Sequence, residues 1–213
     1  MELQLPLSAI SGGVDADVLT ALARGPRLQM DAAMLARMTG KSYTGVRHAL
    51  DRLVRHGTVV ATTVGARTLF HFNDRHILAA AILEIVAAKA RLFDRLTELL
   101  ESGFTSPPVF AAVFGSASRD EMTPESDIDL FLVRPDEASP DTFEEEGASL
   151  AQSISELTGN DARVLIYELS ELTPGTTAHP VLGEIAREGI PLRGSLAEFR
   201  RTVLGRRTSR ATR

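Results

Sequence analysis

The sequence predicts a two-domain α/β (α+β) chain. A small helical domain closed by a β-hairpin comes first, then a long connecting helix, then a mixed-sheet domain with flanking helices. Three observations carry this. Charge is segregated: residues 1–75 carry +3, residues 76–192 carry −14 and residues 193–213 carry +6, within a total of −5 at pH 7. Apolar residues recur at helical spacing over residues 14–56 and 74–102, whereas residues 109–114 and 127–133 are β-type runs. A Gly/Ser/Pro break at Ser102–Pro108 separates the two regimes. The boundaries expected are 1–73, 74–105, 106–193 and a basic tail over 194–213.

At 213 residues the chain can bury two small cores. It has no cysteine, so disulfides and cysteine-ligated zinc are excluded and a reducing, cytoplasmic setting is expected. Met1–Leu7 is too short and polar for a signal peptide. No apolar run approaches the roughly 20 residues that span a bilayer, so no membrane partner is expected.

Taken in order, Val14–Ala23 places Val14, Val18, Leu19 and Leu22 on one helical face, with Asp15 and Asp17 near its positive end. Gly25-Pro26 stops it. Asp31 caps a second helix, Ala32–Met38, with Leu35 and Met38 inward and Gly40 closing it. Ser42 caps a third, Tyr43–His56, with Val46, Leu50, Leu53 and Val54 inward. Thr58–Thr63 and Thr68–Phe72 read as a hairpin around Val64–Arg67.

Three short helices and a hairpin make a winged helix-turn-helix. The phrase LARMTGKSYTGVRHALDRLVRHGTVV is similar to that of many bacterial transcription regulators. In that family the third helix enters the major groove and the hairpin touches the backbone. The resemblance therefore assigns Lys41, Ser42, Tyr43, Thr44, Arg47, His48 and Arg67 to DNA. A winged helix used only for protein contacts is the alternative, because +3 is a small excess for a DNA reader.

Asp74–Ser102 reads as one long helix, capped by Asp74, with a heptad seam of Leu78, Ile82, Ile85, Leu92, Leu96 and Leu99 interrupted by Lys89. A homodimer contact and packing within the chain are equally consistent with it.

The chemistry lies in Val109–Val133, VFAAVFGSASRDEMTPESDIDLFLV. Residues two apart on a strand share a face, so Asp127 and Asp129 point one way and Ile128 and Leu130 the other. Two adjacent carboxylates repel, and burying them unpaired is expensive. A hard cation such as Mg²⁺ between them removes the difficulty. Gly115-Ser116, after a strand, allows close approach of backbone N–H groups to a phosphate.

Gly115-Ser116, a polar spacer and Ser126-Asp127-Ile128-Asp129-Leu130 together resemble the signature of the polymerase-beta-like nucleotidyltransferases, especially the minimal bacterial ones. The likeness spans roughly Ser106–Leu192. It implies that an NTP is the substrate, that Asp127 and Asp129 hold two Mg²⁺ ions, and that the Gly115-Ser116 pair grips the triphosphate, with Ser118, Arg119 and Ser126 assigned beside it. It also implies a third acid on a later strand. On Asp161–Leu169 the usual position carries Arg163, and Asp161 lies two residues earlier on the same face. Either Asp161 serves as third ligand or base, or the site has lost its acid and Arg163 neutralises the pair. Glu168 has the opposite parity and is discounted. Arg119-Asp120 departs from a common Arg-Gly.

Thr142–Thr158 reads as a helix with Phe143, Leu150, Ile154 and Leu157 inward. Glu144–Glu146 reads as a solvated face. A loop over Ser170–Thr176, with His179-Pro180 as more loop, a helix at Val181–Glu188 and an extended Ile190–Leu192 complete the domain. Residues 194–213 read as a basic tail with little apolar content beyond Leu196, Phe199, Val203 and Leu204, disordered toward its end, and its arginines suggest nonspecific attraction for nucleic acid.

Two functions follow. One is NMP transfer from an NTP to a hydroxyl, coupled to DNA binding. The other is a dimeric transcriptional regulator with a degenerate nucleotidyltransferase domain, in a toxin–antitoxin system by analogy with relatives of both domains.

Overall fold

A computed structural model describes residues 1–172 and 180–204. The chain divides into two compact units, Glu2–Arg91 and from Leu92 onward, with Met1 grouped with the second.

The first unit holds α1 (Val14–Arg24), α2 (Ala32–Thr39), α3 (Tyr43–Arg55), β1 (Val59–Val64), β2 (Arg67–Phe72) and α4 (Ala79–Val86). The starts of α2 and α3 are fixed as the sequence indicates. Asp31 Oδ1 accepts from Met34 N–H at 2.8 Å, and Ser42 Oγ accepts from Gly45 N–H at 3.1 Å. Each cap satisfies an orphan amide and contributes about 1 kcal/mol. Gly40 closes α2 at φ +66°, where a side chain is strained. Val18, Leu22, Leu35, Val46, Leu50 and Phe72 are fully buried and form one core. β1 and β2 pair antiparallel, and Met30 bridges Phe70 as a third, single-residue strand. Met38, expected inward, is instead exposed. The buried stripe of α2 is Ala32–Leu35, and Met38 lies off its axis.

The single helix expected over 74–102 is two helices, α4 and α5 (Ala88–Ser102). Asp74 does not cap it. Asn73 Oδ1 accepts from Arg75 N–H at 3.2 Å and folds the chain into turns until Ala79. Ala87 interrupts the helix at ψ 0°, although Ala87 N–H still reaches Leu83 O and Arg91 N–H reaches Ala87 O, both at 3.0 Å. Leu78 is exposed, and the buried leucines of α5 are Leu92, Leu96 and Leu100, not Leu99.

The second unit is built on a four-stranded mixed sheet in the order β5-β4-β3-β6. These are β3 (Phe110–Phe114), β4 (Ile128–Arg134), β5 (Ala162–Glu168) and β6 (Ile190–Arg193). β3 pairs antiparallel with β4 and β6, and β4 pairs parallel with β5. A parallel neighbour needs a long crossover, which α6 (Pro140–Thr158) supplies. Its buried stripe is Phe143, Gly147, Leu150, Ile154 and Thr158, which leaves Leu157 exposed rather than inward. Glu146 is not simply solvated: it accepts from Thr105 N–H and Oγ at 2.8 and 2.7 Å.

The other face of the sheet carries Phe110, Ala112, Phe131 and Val133, covered by α7 (Pro180–Glu188) and α8 (Leu196–Leu204). Pro180 is therefore helical, while His179 and most of the predicted Ser170–Thr176 loop lie outside the described residues. The first part of the 194–213 segment is helix α8, and residues 205–213 lie outside the described residues. In α8, Phe199 stacks on Phe110 at 4.5 Å and meets Phe131 edge-on at 5.4 Å. Leu196, Phe199 and Val203 form one helical stripe, and Leu204 is exposed. Phe199→Ala should accordingly cost about 3–5 kcal/mol. Urea denaturation should show it as a lower midpoint at unchanged slope; an unchanged midpoint would make α8 an appendage.

Candidate functional site

The site sits where β3 ends and β4 begins. Gly115 follows β3 at φ +68° and starts a tight turn, Gly115–Ala117. Its carbonyl accepts from Ser118 N–H at 3.2 Å and from Ser118 Oγ at 2.8 Å. A Cβ at Gly115 would lie 2.6 Å from Asp129 Oδ2. Glycine is required twice here, for the backbone angle and for the carboxylate packed against its bare Cα.

Asp129 lies opposite Phe114 on one side and level with Arg163 on the other. It shares its sheet face with Phe131 and Val133, the face that α7 covers. Burial pushes the Asp129 carboxyl above the usual carboxylate range, and the Asp127 charge adds to this. Arg163 opposes the shift, Glu184 reinforces it, and Arg119 opposes it again. Asp127 is paired directly: Arg163 Nη2 is 2.8 Å from Asp127 Oδ2.

Arg119 leaves the turn and meets three carboxylates. Nε donates to Glu121 at 2.9 Å, and Nη1 donates to Glu184 at 2.9 Å and Glu188 at 3.1 Å. Those bonds raise the already high affinity of the guanidinium for its proton. Arg119 thus ties the turn to α7. Ser118 is committed to its own turn, and Ser126 Oγ accepts from Thr123 N–H at 2.9 Å. Among the described residues the Ser116 hydroxyl has no hydrogen-bond partner.

Asp161 is exposed, and its carbonyl accepts from Ile128 N–H at 2.8 Å. Among the described residues no three or more His, Cys, Asp or Glu side chains converge as a metal site. Arg163 stands level with Asp129 across the β4–β5 pair. Glu168 pairs with the buried Arg134 at the far end of β5, as its parity implied.

The sequence carries no signal for Asn160 beyond its place after the end of α6. Asn160 is 3% exposed, and Nδ2 donates to Pro124 O at 3.2 Å and Ser126 O at 2.8 Å. The segment entering Asp127 is held by this amide. Sequence reasoning missed Glu184 and Glu188, which read as the polar face of a closing helix. Helical spacing and the acidic excess of the domain were the only signals, and neither points to Arg119.

In the first unit, Tyr43, Thr44, Arg47, His48 and Arg67 are exposed. Lys41 is engaged with the buried Asp17 at 3.0 Å, and Ser42 is the cap of α3. A groove of about 470 Å³ between α3 and the hairpin is lined by Arg47, Asp51, Arg55, Ala61, Thr68 and Phe70, among others. Among the described residues no helix is long and apolar enough to cross a membrane.

The mixed sheet thus presents two aspartates beside a Gly-Ser turn. The family "Polymerase beta, Nucleotidyltransferase" matches residues 95–184, so this stretch is similar to that family. Three solved structures resemble the chain. A toxin–antitoxin with AMP-PNP is 18% identical, with 52% of this chain and 80% of that one covered at TM-score 0.39. A tri-AMPylated Shewanella oneidensis HEPN toxin in complex with MNT antitoxin is 16% identical, with 54% and 80% covered at 0.37. The toxin–antitoxin MntA–HepT is 16% identical, with 54% and 80% covered at 0.36. No curated protein matches.

Two predictions concern the geometry. Folding raises the Asp129 pKa, so the folded state holds this proton more tightly than the unfolded one. Asp129 therefore weakens folding as pH rises from the ordinary carboxylate range through its raised value, and by its full amount above that. Asp129→Asn should melt about 1–3 °C above the parent at pH 7, with the gap closing below about pH 4; a lower melting point at pH 7 would contradict the burial argument. Asn160→Ala leaves two carbonyls without their donor and should cost about 1–3 kcal/mol. Amide exchange should quicken over residues 121–128, and protection equal to the parent's there would sink the positioning role.

Proposed function

We propose that the second unit binds a nucleoside triphosphate with a divalent cation at Asp127 and Asp129 and transfers the nucleoside monophosphate to a hydroxyl acceptor. The observation that carries this is the Asp129 carboxylate held against the bare Cα of Gly115, beside Asp127. The donors are all oxygen and partly buried, and they carry excess negative charge. They fit one hard cation that takes its remaining ligands from phosphate and water. Arg163 beside the pair supports one ion rather than the two that three carboxylates would hold.

The cation, when bound, neutralises the carboxylate pair and the reacting phosphate. The chain does the rest. The Gly115–Ala117 turn offers its backbone and the uncommitted Ser116 hydroxyl to the phosphates. Arg119, through Glu184 and Glu188, keeps the turn seated on α7. Asn160 holds the approach to Asp127. Among the described residues no third carboxylate is placed to take the acceptor proton, so transfer should be slow for this class; a positioned base typically supplies 10²–10⁴-fold.

The first unit, in this reading, is a winged helix that binds DNA as a homodimer. Arg47, Arg67, Tyr43, Thr44 and His48 would be at the interface. Lys41 contributes less, since Asp17 already balances it. One observation favours a second reading: Arg163 on Asp127. It supports a DNA-bound regulator whose second unit senses a nucleotide without turning it over.

Incubation with each α-labelled NTP, Mg²⁺ and a cell extract tests the first reading. Label should enter an acceptor with the parent and fall at least 100-fold with Asp127→Ala or Asp129→Ala. Nucleotide binding without any transfer would favour the sensor. A gel shift on DNA upstream of the coding region tests the first unit. Arg47→Ala should weaken a specific, salt-sensitive shift about 5–100-fold; a shift indifferent to Arg47 would remove α3 as the reader.

A further inference from the structure

We infer that Arg163 is the resident counter-cation of the Asp127–Asp129 pair, and that it makes metal binding conditional on the arrival of a polyanion such as a nucleotide triphosphate. This rests on the nucleotide-binding reading above and concerns how that site is loaded.

The argument starts from register. β4 and β5 run parallel with Asp129 level with Arg163, so both side chains share a sheet face. From there the guanidinium reaches back to Asp127, 2.8 Å away. Asp127 is largely buried at 26% exposure, whereas Arg163 is 72% exposed at the edge of the sheet. The carboxylate is fixed and the cation is on a long, free arm. Removing the arginine from Asp127 costs little conformationally, because β5 is an edge strand with solvent beside it.

Charge then decides the order of events. The two aspartates sum to −2 and Arg163 brings this to −1. Arg119, the other cation nearby, is already shared among Glu121, Glu184 and Glu188. A dication that enters alone must take Asp127 from Arg163 and then sit beside the displaced guanidinium, with like charges a few ångströms apart. A triphosphate entering with the metal changes the balance. The guanidinium exchanges one oxyanion partner for another, since its planar fork suits phosphate as well as carboxylate. Metal and nucleotide are therefore positively coupled through one side chain, and the coupling is reciprocal. A carboxylate in the place of Arg163 would reverse this and bind metal ahead of nucleotide.

The experiment measures Mn²⁺ affinity of the full chain by electron paramagnetic resonance, without and with a non-hydrolysable ATP analogue. The parent, Arg163→Ala, Arg163→Lys and Arg163→Asp are compared after circular dichroism confirms the fold. In the parent, the analogue should raise Mn²⁺ affinity at least 10-fold. Arg163→Ala should bind Mn²⁺ alone about 5–10-fold more tightly than the parent and lose most of the enhancement. Arg163→Lys keeps the charge and should behave like the parent. Arg163→Asp should bind Mn²⁺ alone most tightly of the four. A parent that binds Mn²⁺ and analogue, with Arg163→Ala unchanged, overturns this inference and leaves the nucleotide reading standing. A parent and Arg163→Asp that both bind neither ligand overturn the nucleotide reading itself.

Discussion

A carboxylate oxygen of Asp129 packs against a Cα that has no room for a methyl group. That contact sets much of the second unit. Gly115 must follow β3 at positive φ, and β4 must pair antiparallel to β3 so that Asp129 falls opposite Phe114. β5 must lie parallel to β4 for Arg163 to stand level with Asp129. The cost is visible in the raised affinity of Asp129 for its proton, caused first by burial and then by Asp127. A core residue could be chosen without that cost. Perturbed carboxylates held in place by packing are characteristic of sites that bind or react.

The surroundings of the pair are a balance of fixed charges. Arg163 offsets Asp127, and Arg119 is absorbed by three carboxylates, two of them on α7. Each exposed pair contributes little to stability. Their role is positional: they hold the Gly115–Ala117 turn to α7 and keep a guanidinium at the pair. The first unit uses the same means, since Asp17 and Asp15 on α1 engage Lys41 and Arg52. That leaves Arg47 and Arg67 among the exposed cations of α3 and the hairpin.

Much of this was legible in the sequence because local rules were strong. Asp31, Ser42 and Gly40 cap helices as their chemistry dictates. The parity of Asp127 and Asp129 against Ile128 and Leu130 survived intact, with Ile128 and Leu130 fully buried. Where reading failed, long-range contacts had decided. Asn73 redirects the chain before Asp74 can cap a helix, so 74–102 became two helices. Phe199 has no meaning as one aromatic in a basic tail until Phe110 and Phe131 are seen beneath it. Asn160 and Glu184 act through residues 34 and 65 positions away, which no periodicity reveals. That Arg163 lies beside Asp129 follows from strand register, which the sequence does not state.

The central claim is that Asp127 and Asp129 hold a divalent cation together with a triphosphate in front of the Gly115-Ser116 turn. Anomalous scattering from crystals grown with Mn²⁺ and a non-hydrolysable NTP tests it most directly. The account predicts one manganese peak within bonding distance of both aspartates, phosphate oxygens on the turn, and Arg163 moved from Asp127 onto the nucleotide. Crystals at saturating ligand with no peak there, and Arg163 still on Asp127, would contradict it.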